Sequence, residues 1–298
     1  MRFAITGGCG FIGSFLAEEL LKSGHEVRII DLIGQPVIDK YVKYSKADIC
    51  DLDSLRKCCN DIEQIIHLAA YSKIQDCIKN PQTAFRINVG GTLNVLLAAK
   101  DCGVKRVVYA SSSSIYGDQT SLPFKENMSA RLLNPYAATK FKGEQLCSGF
   151  ARWCGIETVS LRLFNVYGSE AAVNGEAEYP SVVERFLHQK RLGQRLTIVG
   201  NGRQKRDLVN VKDVVQAFIA ASSSKLIGQG EVVNIGSGIS YSVSEIADWI
   251  GGEIIRIDKR YIEAYETRAD VTQARKFLNW QSKFDLKNWI TDRIYKKK

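Results

Sequence analysis

The sequence predicts an α/β fold, a doubly wound parallel sheet with a smaller C-terminal α/β lid, and three observations predict it. Short apolar runs alternate with longer helical patterns through the first half of the chain. A glycine-rich turn follows the first apolar run and opens the first helical pattern. After about residue 163 the rhythm breaks into longer loops and shorter elements. Alternating strands and helices build βαβ units, and right-handed crossovers bring the carboxyl ends of the strands to one edge, where ligands bind.

Strands are predicted at 2–6, 26–31, 64–68, 106–111 and 157–161, and helices at 11–22, 53–59, 83–100 and 136–153. In the third helix Val89, Leu93, Leu96 and Leu97 have helical spacing. The nominal division is 1–163 for the nucleotide-binding domain and 164–298 for the lid, with segments such as 231–235 returning to the main sheet.

The 298 residues are 45% hydrophobic and 24% charged, ordinary for a soluble globular protein. Gly7, Gly8 and Gly10 interrupt the first apolar stretch, so it does not read as a signal peptide. No run approaches the roughly 18 apolar residues that span a bilayer. A soluble, cytoplasmic protein without membrane association is expected. The 8 cysteines include no CxxC pair, so no metal site is predicted and the thiols read as small buried hydrophobes. The net charge of +9 comes without an interleaved aromatic and basic stripe, which favours an anionic small substrate over nucleic acid.

Gly7, Gly10 and Gly13 form a GxxGxxG turn between the first strand and the first helix, which Phe11 and Ile12 begin. Such a turn lets backbone approach a pyrophosphate, and the helix N-terminus supplies N–H groups and positive dipole. Asp31 ends the second strand, where a carboxylate accepts the ribose hydroxyls of NAD and repels the 2′-phosphate of NADP. Neither Leu32 nor Ile33 offers a basic partner for that phosphate, and strand alternation turns Arg28 elsewhere.

Tyr136 and Lys140 share a helix face four residues apart, and no other tyrosine has a lysine at that spacing. Asn134-Pro135 marks the start of their helix, and the run Ser111 to Ser114 ends a strand before it. A phenol beside an ammonium and a cationic nicotinamide is drawn toward its phenolate. It can then take a hydroxyl proton while a hydride leaves the carbon for NAD, with a serine hydroxyl positioning the same oxygen.

Nine segments in order carry a resemblance: TGGCGFIG at 6–13, HLAA at 67–70, NVGGT at 88–92, SSSSIYG at 111–117, YAATK at 136–140, LRLFNVYG at 161–168, LTIVGNGRQKRDLVNVKDV at 196–214, NIGSG at 234–238 and ADVTQARKFLNW at 269–280. Over nearly its whole length the chain resembles extended short-chain dehydrogenases of the NAD-dependent epimerase/dehydratase family, most of all the UDP-galactose 4-epimerase branch. The resemblance implies a Rossmann-type NAD domain and a substrate-binding lid. It implies catalytic roles for Ser112, Tyr136 and Lys140. It places Asp48 and Ile49 near the adenine, Leu68 and Ala69 along the cofactor, and Asn88 near its nicotinamide half. On the substrate side it implies Ser113, Asn165 at the diphosphate region, and Arg206 and Arg260 as a diphosphate clamp, a role that suits the guanidinium fork. It also implies a homodimer, with helices 83–100 and 136–153 pairing with their copies.

The sequence departs from the family pattern at Tyr261 and Ile262, where Pro and Gly are usual, at Ser169, at Asn210 and Lys212, and in the 71–77 loop with Lys73 and Asp76. These departures bear on the sugar more than on the chemistry. Dehydratases and decarboxylases of the family carry an acid just after the catalytic hydroxyl, whereas here Ser113 and Ser114 follow. That favours 4-epimerisation through a transient 4-keto sugar. The alternatives are a nucleotide 4-ketosugar reductase that consumes NAD(P)H, another nucleotide-sugar dehydratase or epimerase, and a non-enzymatic NAD-sensing or RNA-binding protein on the same fold. The resemblance also places Thr267, three residues before Asp270, where a tyrosine would exclude an N-acetyl group at sugar C2, and it thereby implies UDP-GlcNAc and UDP-GalNAc as substrates beside UDP-glucose and UDP-galactose.

Overall fold

The computed structural model describes residues 1–33, 42–175, 181–258 and 264–295. Its main sheet has seven parallel strands. They are β1 (Arg2–Thr6), β2 (Glu26–Asp31), β3 (Lys43–Lys46), β4 (Gln64–His67), β5 (Arg106–Ser112), β6 (Glu157–Leu163) and a later strand, Gln229–Ile235. In space the order is β3-β2-β1-β4-β5-β6, with Gln229–Ile235 outermost beside β6. The order reverses at β1, where a doubly wound sheet opens its ligand crevice.

Helices cover both faces because the strands are apolar on both sides. Phe3, Ile5, Val27 and Ile29 join one core layer with Leu16 and Leu20 of α1 (Phe11–Lys22). Ala4, Ile30, Ile65 and Val107 face the other layer. That layer is completed by Leu55 of α2 (Leu52–Cys59) and, further along, by Val95, Leu96, Cys147 and Phe150. After β4 come α3 (Ile74–Lys79), α4 (Pro81–Phe85), a single π-helical turn at Arg86–Gly90, and α5 (Gly91–Asp101). The helix expected at 83–100 is therefore interrupted. Its buried residues include Ala84, Asn88, Thr92, Val95, Leu96, Ala98 and Ala99, whereas Leu93 and Phe85 face outward.

The strongest local signals are at α6 (Pro135–Cys154). The Asn134 side chain accepts from Ala137 N at 2.9 Å, Pro135 fills the first turn, and Gly155 ends the helix at φ 67°. A Cβ on Gly143 would come within 2.3 Å of the Tyr109 hydroxyl, so α6 lies almost on β5.

Strand β3 was not predicted. Its residues, Lys-Tyr-Ser-Lys, show no apolar alternation because it is an edge strand paired only to β2. At the opposite edge the register shifts between Gln229 and Glu231.

The lid adds β7 (Asn165–Tyr167), β8 (Leu196–Val199), β9 (Lys205–Asn210) and the helices Glu170–Val173 and Val182–Arg191. Strand β9 runs between β7 and the short strand Ser240–Ser242. A separate core of Phe186, Leu208, Ile246 and Trp289 holds these parts together. Helix Val211–Ser223 and strand Gln229–Ile235 belong with the main sheet, although they follow the lid strands in sequence. No helix of the described residues is long and apolar enough to cross a membrane.

Candidate active site

The first end of the site is built where backbone crowds backbone. Gly7 sits at φ 70°, and a Cβ there would lie 2.7 Å from Ala69 N; one on Gly13 would lie 2.5 Å from Gly7 O. The turn after β1, the first turn of α1 and the residues after β4 thus close on one another. Gly10 caps α1 with no side-chain bond, and no acidic residue occupies the first turn. This end suits an anionic pyrophosphate.

Asp31 lies beside that turn. Its Oδ2 accepts from Cys9 N at 2.9 Å and its Oδ1 from Ile33 N at 3.1 Å, which holds the carboxylate at the end of β2 beside the glycine turn. Arg28 turns away, and its Nη1 donates to Cys58 O and Asn60 O at 2.7 and 2.9 Å. Asp48 follows β3, with Oδ1 on Cys50 N at 2.8 Å. Ile49 fills the space above Gly91, and Leu68 is fixed by its N–H on Thr6 O at 3.0 Å. Phe11 and Ile12 begin α1, half-buried. These groups line one edge of the sheet and fit a dinucleotide. Asn88 is 2% exposed and uses both ends of its amide inside the protein. Its Oδ1 accepts from Tyr71 N, and its Nδ2 donates to Tyr71 O and Thr139 Oγ1, so it ties the chain after β4 to α6.

Ser112, Tyr136 and Lys140 meet beyond the end of β5. Lys140 Nζ donates to Ala110 O at 2.8 Å and lies 4.9 Å from the Tyr109 ring centroid and 5.9 Å from that of Tyr136. Burial holds its ammonium below the usual lysine range, at about 8. Burial of the Tyr136 hydroxyl pushes it up to about 12, against a hydrogen bond with Ser112 that pulls it down. In the protein alone, desolvation outweighs the pull of Ser112, and Lys140 is not among the groups that shift the phenol.

A cleft of about 230 Å³ opens in front of these groups. Ser113, Asn165, Arg206 and Thr267 all line it, with Ser112 and Tyr136. Arg206 comes from β9, and its Nη1 donates to Lys205 O and Tyr265 O at 2.9 and 3.3 Å. Thr267 is buried, and its Oγ1 accepts from Asp207 N at 3.2 Å. Arg260, Tyr261 and Ile262 lie outside the described residues.

Sequence reasoning singled out the 71–77 loop and Ser114 but did not name Ser72, Ile74, Leu133, Phe164 or Ala264, which line the same cleft with Ser114. Ser72 and Ile74 follow β4, so topology alone could have placed them on the ligand edge. It also missed Asp207, which is fully buried. Its carboxylate accepts from Ser237 N and Oγ, Gly238 N and Ala269 N at 2.7 to 2.9 Å, pinning the 264–270 strap to β9. No spacing distinguishes it from a surface aspartate.

Residues 3–236 match the family model described as NAD dependent epimerase/dehydratase family. The chain is 33% identical over 311 residues to a UDP-glucose 4-epimerase of Mycolicibacterium smegmatis, covering 99% of this chain and 97% of that one. It is 36% identical over 259 residues to a UDP-N-acetyl-alpha-D-glucosaminuronate decarboxylase of Bacillus cytotoxicus, covering 83% and 78%. The UDP-glucose 4-epimerase of Thermotoga maritima, solved with UDP-glucose, superposes with a TM-score of 0.91 at 27% identity, covering 99% and 97%.

Proposed function

Because the chain belongs to the NAD dependent epimerase/dehydratase family, we propose that it inverts C4 of a UDP-linked sugar, acting on UDP-glucose and UDP-galactose and also on their N-acetylated counterparts. One observation carries this reading. Ser112 and Tyr136 face a cleft, with Lys140 packed behind Tyr136, whose described lining contains no aspartate or glutamate. Elimination and related chemistry need an acid there; inversion does not.

Bound NAD would supply the hydride acceptor for C4 and the hydride that returns to the opposite face of the 4-keto sugar. Gly7, Gly10, Phe11, Ile12, Asp31, Asp48, Ile49, Leu68 and Ala69 would hold it along the sheet edge, with Asn88 fixing the chain beside them. Tyr136 takes the C4 hydroxyl proton and gives it back, while Ser112 orients that oxygen. Ser112 acts to bring the phenol down from about 12, and the positive charges of Lys140 and of oxidised nicotinamide, once bound, would act in the same direction. Arg206, with Arg260 as its proposed partner, and Asn165 hold the diphosphate. Ser113 and Thr267 border the sugar.

The test is incubation of pure protein with a panel of UDP- and dTDP-linked hexoses and uronates, read by NMR. C4 inversion without net NADH formation or consumption is expected. Net consumption of NADH would make the protein a reductase, and loss of carbon dioxide from a uronate would make it a decarboxylase; either overturns this reading.

The same reading includes a cytoplasmic homodimer. Phe85 and Leu93 are 43% and 36% exposed on the outer side of the α4–α5 run, and Trp153 at the end of α6 is 74% exposed. Exposed apolar residues grouped on neighbouring helices suit a second copy. Light scattering at micromolar concentration should give twice the chain mass; a stable monomer would refute the dimer.

A further inference from the structure

Three consecutive residues of β5 each engage α6. Ala110 O accepts from Lys140 Nζ at 2.8 Å, Ser111 Oγ donates to Glu144 Oε1 at 2.5 Å, and the Ser112 hydroxyl lies close enough to that of Tyr136 to favour its ionisation. Their partners Tyr136, Lys140 and Glu144 are four residues apart, along one helix face. Glu144 is 4% exposed and its charge is matched by Arg162 of β6. Arg162 Nε and Nη2 reach its two oxygens at 2.8 Å each. Ser111 therefore hangs on a carboxylate already fixed in two directions, which is the geometric strength of the guanidinium fork.

The network continues toward the substrate side. The Arg162 guanidinium lies 4.7 Å from the Tyr116 ring, and the Tyr116 hydroxyl donates to Asn234 Oδ1 at 2.6 Å. Asn234 Nδ2 donates to Phe124 O at 2.8 Å and to Asp270 O at 3.3 Å. Asp270 ends the strap that carries Thr267. Buried ion pairs contribute little net stability, because desolvation offsets their attraction, and fixing a register is their best-attested use.

We propose that Glu144, clamped by Arg162, is a positioning residue for the reaction proposed above: through Ser111 it fixes where β5 ends against α6, and so how Ser112, Tyr136 and Lys140 face one another. The inference rests on that reaction for its kinetic test. The other titratable groups facing Tyr136, Lys140 and Glu144 are Tyr109 of β5, His67 of β4, Cys77 of α3 and Cys147 of α6, those facing Arg162 are Tyr116 and Glu126, and the variants below leave all of them in place.

Ser111→Ala removes the tether and spares the ion pair; Ser111→Thr keeps a hydroxyl. We expect Ser111→Ala to lower kcat about tenfold with KM within about twofold, in keeping with what sub-ångström misplacement costs, and Ser111→Thr to recover most of it. A second readout needs no substrate. Ultraviolet titration, taken as the difference between each protein and its Tyr136→Phe counterpart, should show Tyr136 ionising at higher pH in Ser111→Ala, because its bond to Ser112 loosens. Unchanged kcat with an unchanged titration overturns the proposal, as does a loss confined to KM. Should Ser111→Ala fail to fold, Glu144→Asp, which keeps the charge but draws the carboxylate back, is read in the same two ways. A wild type that turns over no nucleotide sugar would sink the epimerase reading, while the titration would still decide this one.

Discussion

Tyr136→Phe is expected to lower turnover at least about a hundredfold while NAD stays bound, the usual scale for losing a general acid or base. The hydroxyl is the atom at stake. The ring keeps its place at the start of α6, and Lys140 keeps its bond to Ala110 O, because neither depends on the phenol oxygen. Loss of a hydroxyl that burial had pushed to about 12 removes no charge at neutral pH, so the fold should tolerate it. The measurement is kcat on the epimerised sugar pair, together with NAD binding by fluorescence. Near-normal turnover in a folded, NAD-bound variant would remove Tyr136 from the mechanism.

That residue was legible from sequence because three local signals coincide: the Asn134 cap, the proline behind it, and a lysine one turn on. Strand β1 and the glycine turn were legible for the same reason, since the chemistry of a tight turn restricts residue type. What escaped is non-local. Strand β3 has no apolar pattern because only one side of it pairs. The interruption at Arg86–Gly90 has no residue signature in the chain, although it places Asn88 between Tyr71 and Thr139. Val89, Leu93, Leu96 and Leu97 have helical spacing, yet of these only Leu96 is fully buried, because the inward face carries the smaller and more polar residues Ala84, Asn88 and Thr92. Glu144 and Arg162 are charged residues that a composition rule places on the surface; only their mutual contact explains their burial.

Thr267→Tyr should separate two substrate classes. Wild-type protein is expected to epimerise both UDP-glucose/UDP-galactose and the N-acetylated pair. The variant should lose at least about tenfold more kcat/KM on the acetylated pair than on the plain one, since added volume in a packed site costs about 1–3 kcal/mol. Thr267 is 7% exposed, and its backbone N–H is tied to Lys205 O at 3.2 Å, so a larger side chain has little room to swing aside. Its hydroxyl accepts from Asp207 N, which leaves the hydroxyl proton to donate to a ligand carbonyl. Because the tyrosine variant also gives up that acceptor, Thr267→Ser is the control, and it should keep both activities. A wild type that ignores the acetylated sugars would dismiss the idea, and so would an equal loss on both pairs.

The two rims of the main sheet bear on how copies of this chain meet in a crowded solution. An unpaired strand rim is a template for another chain's backbone. Here one rim is only four residues long and carries Lys43 and Lys46 at its ends, and the other is broken by its register shift near Glu231. Charge and irregularity blunt both. Ribbon-like growth from one main sheet to the next, the route to fibrous aggregates, is disfavoured at either side.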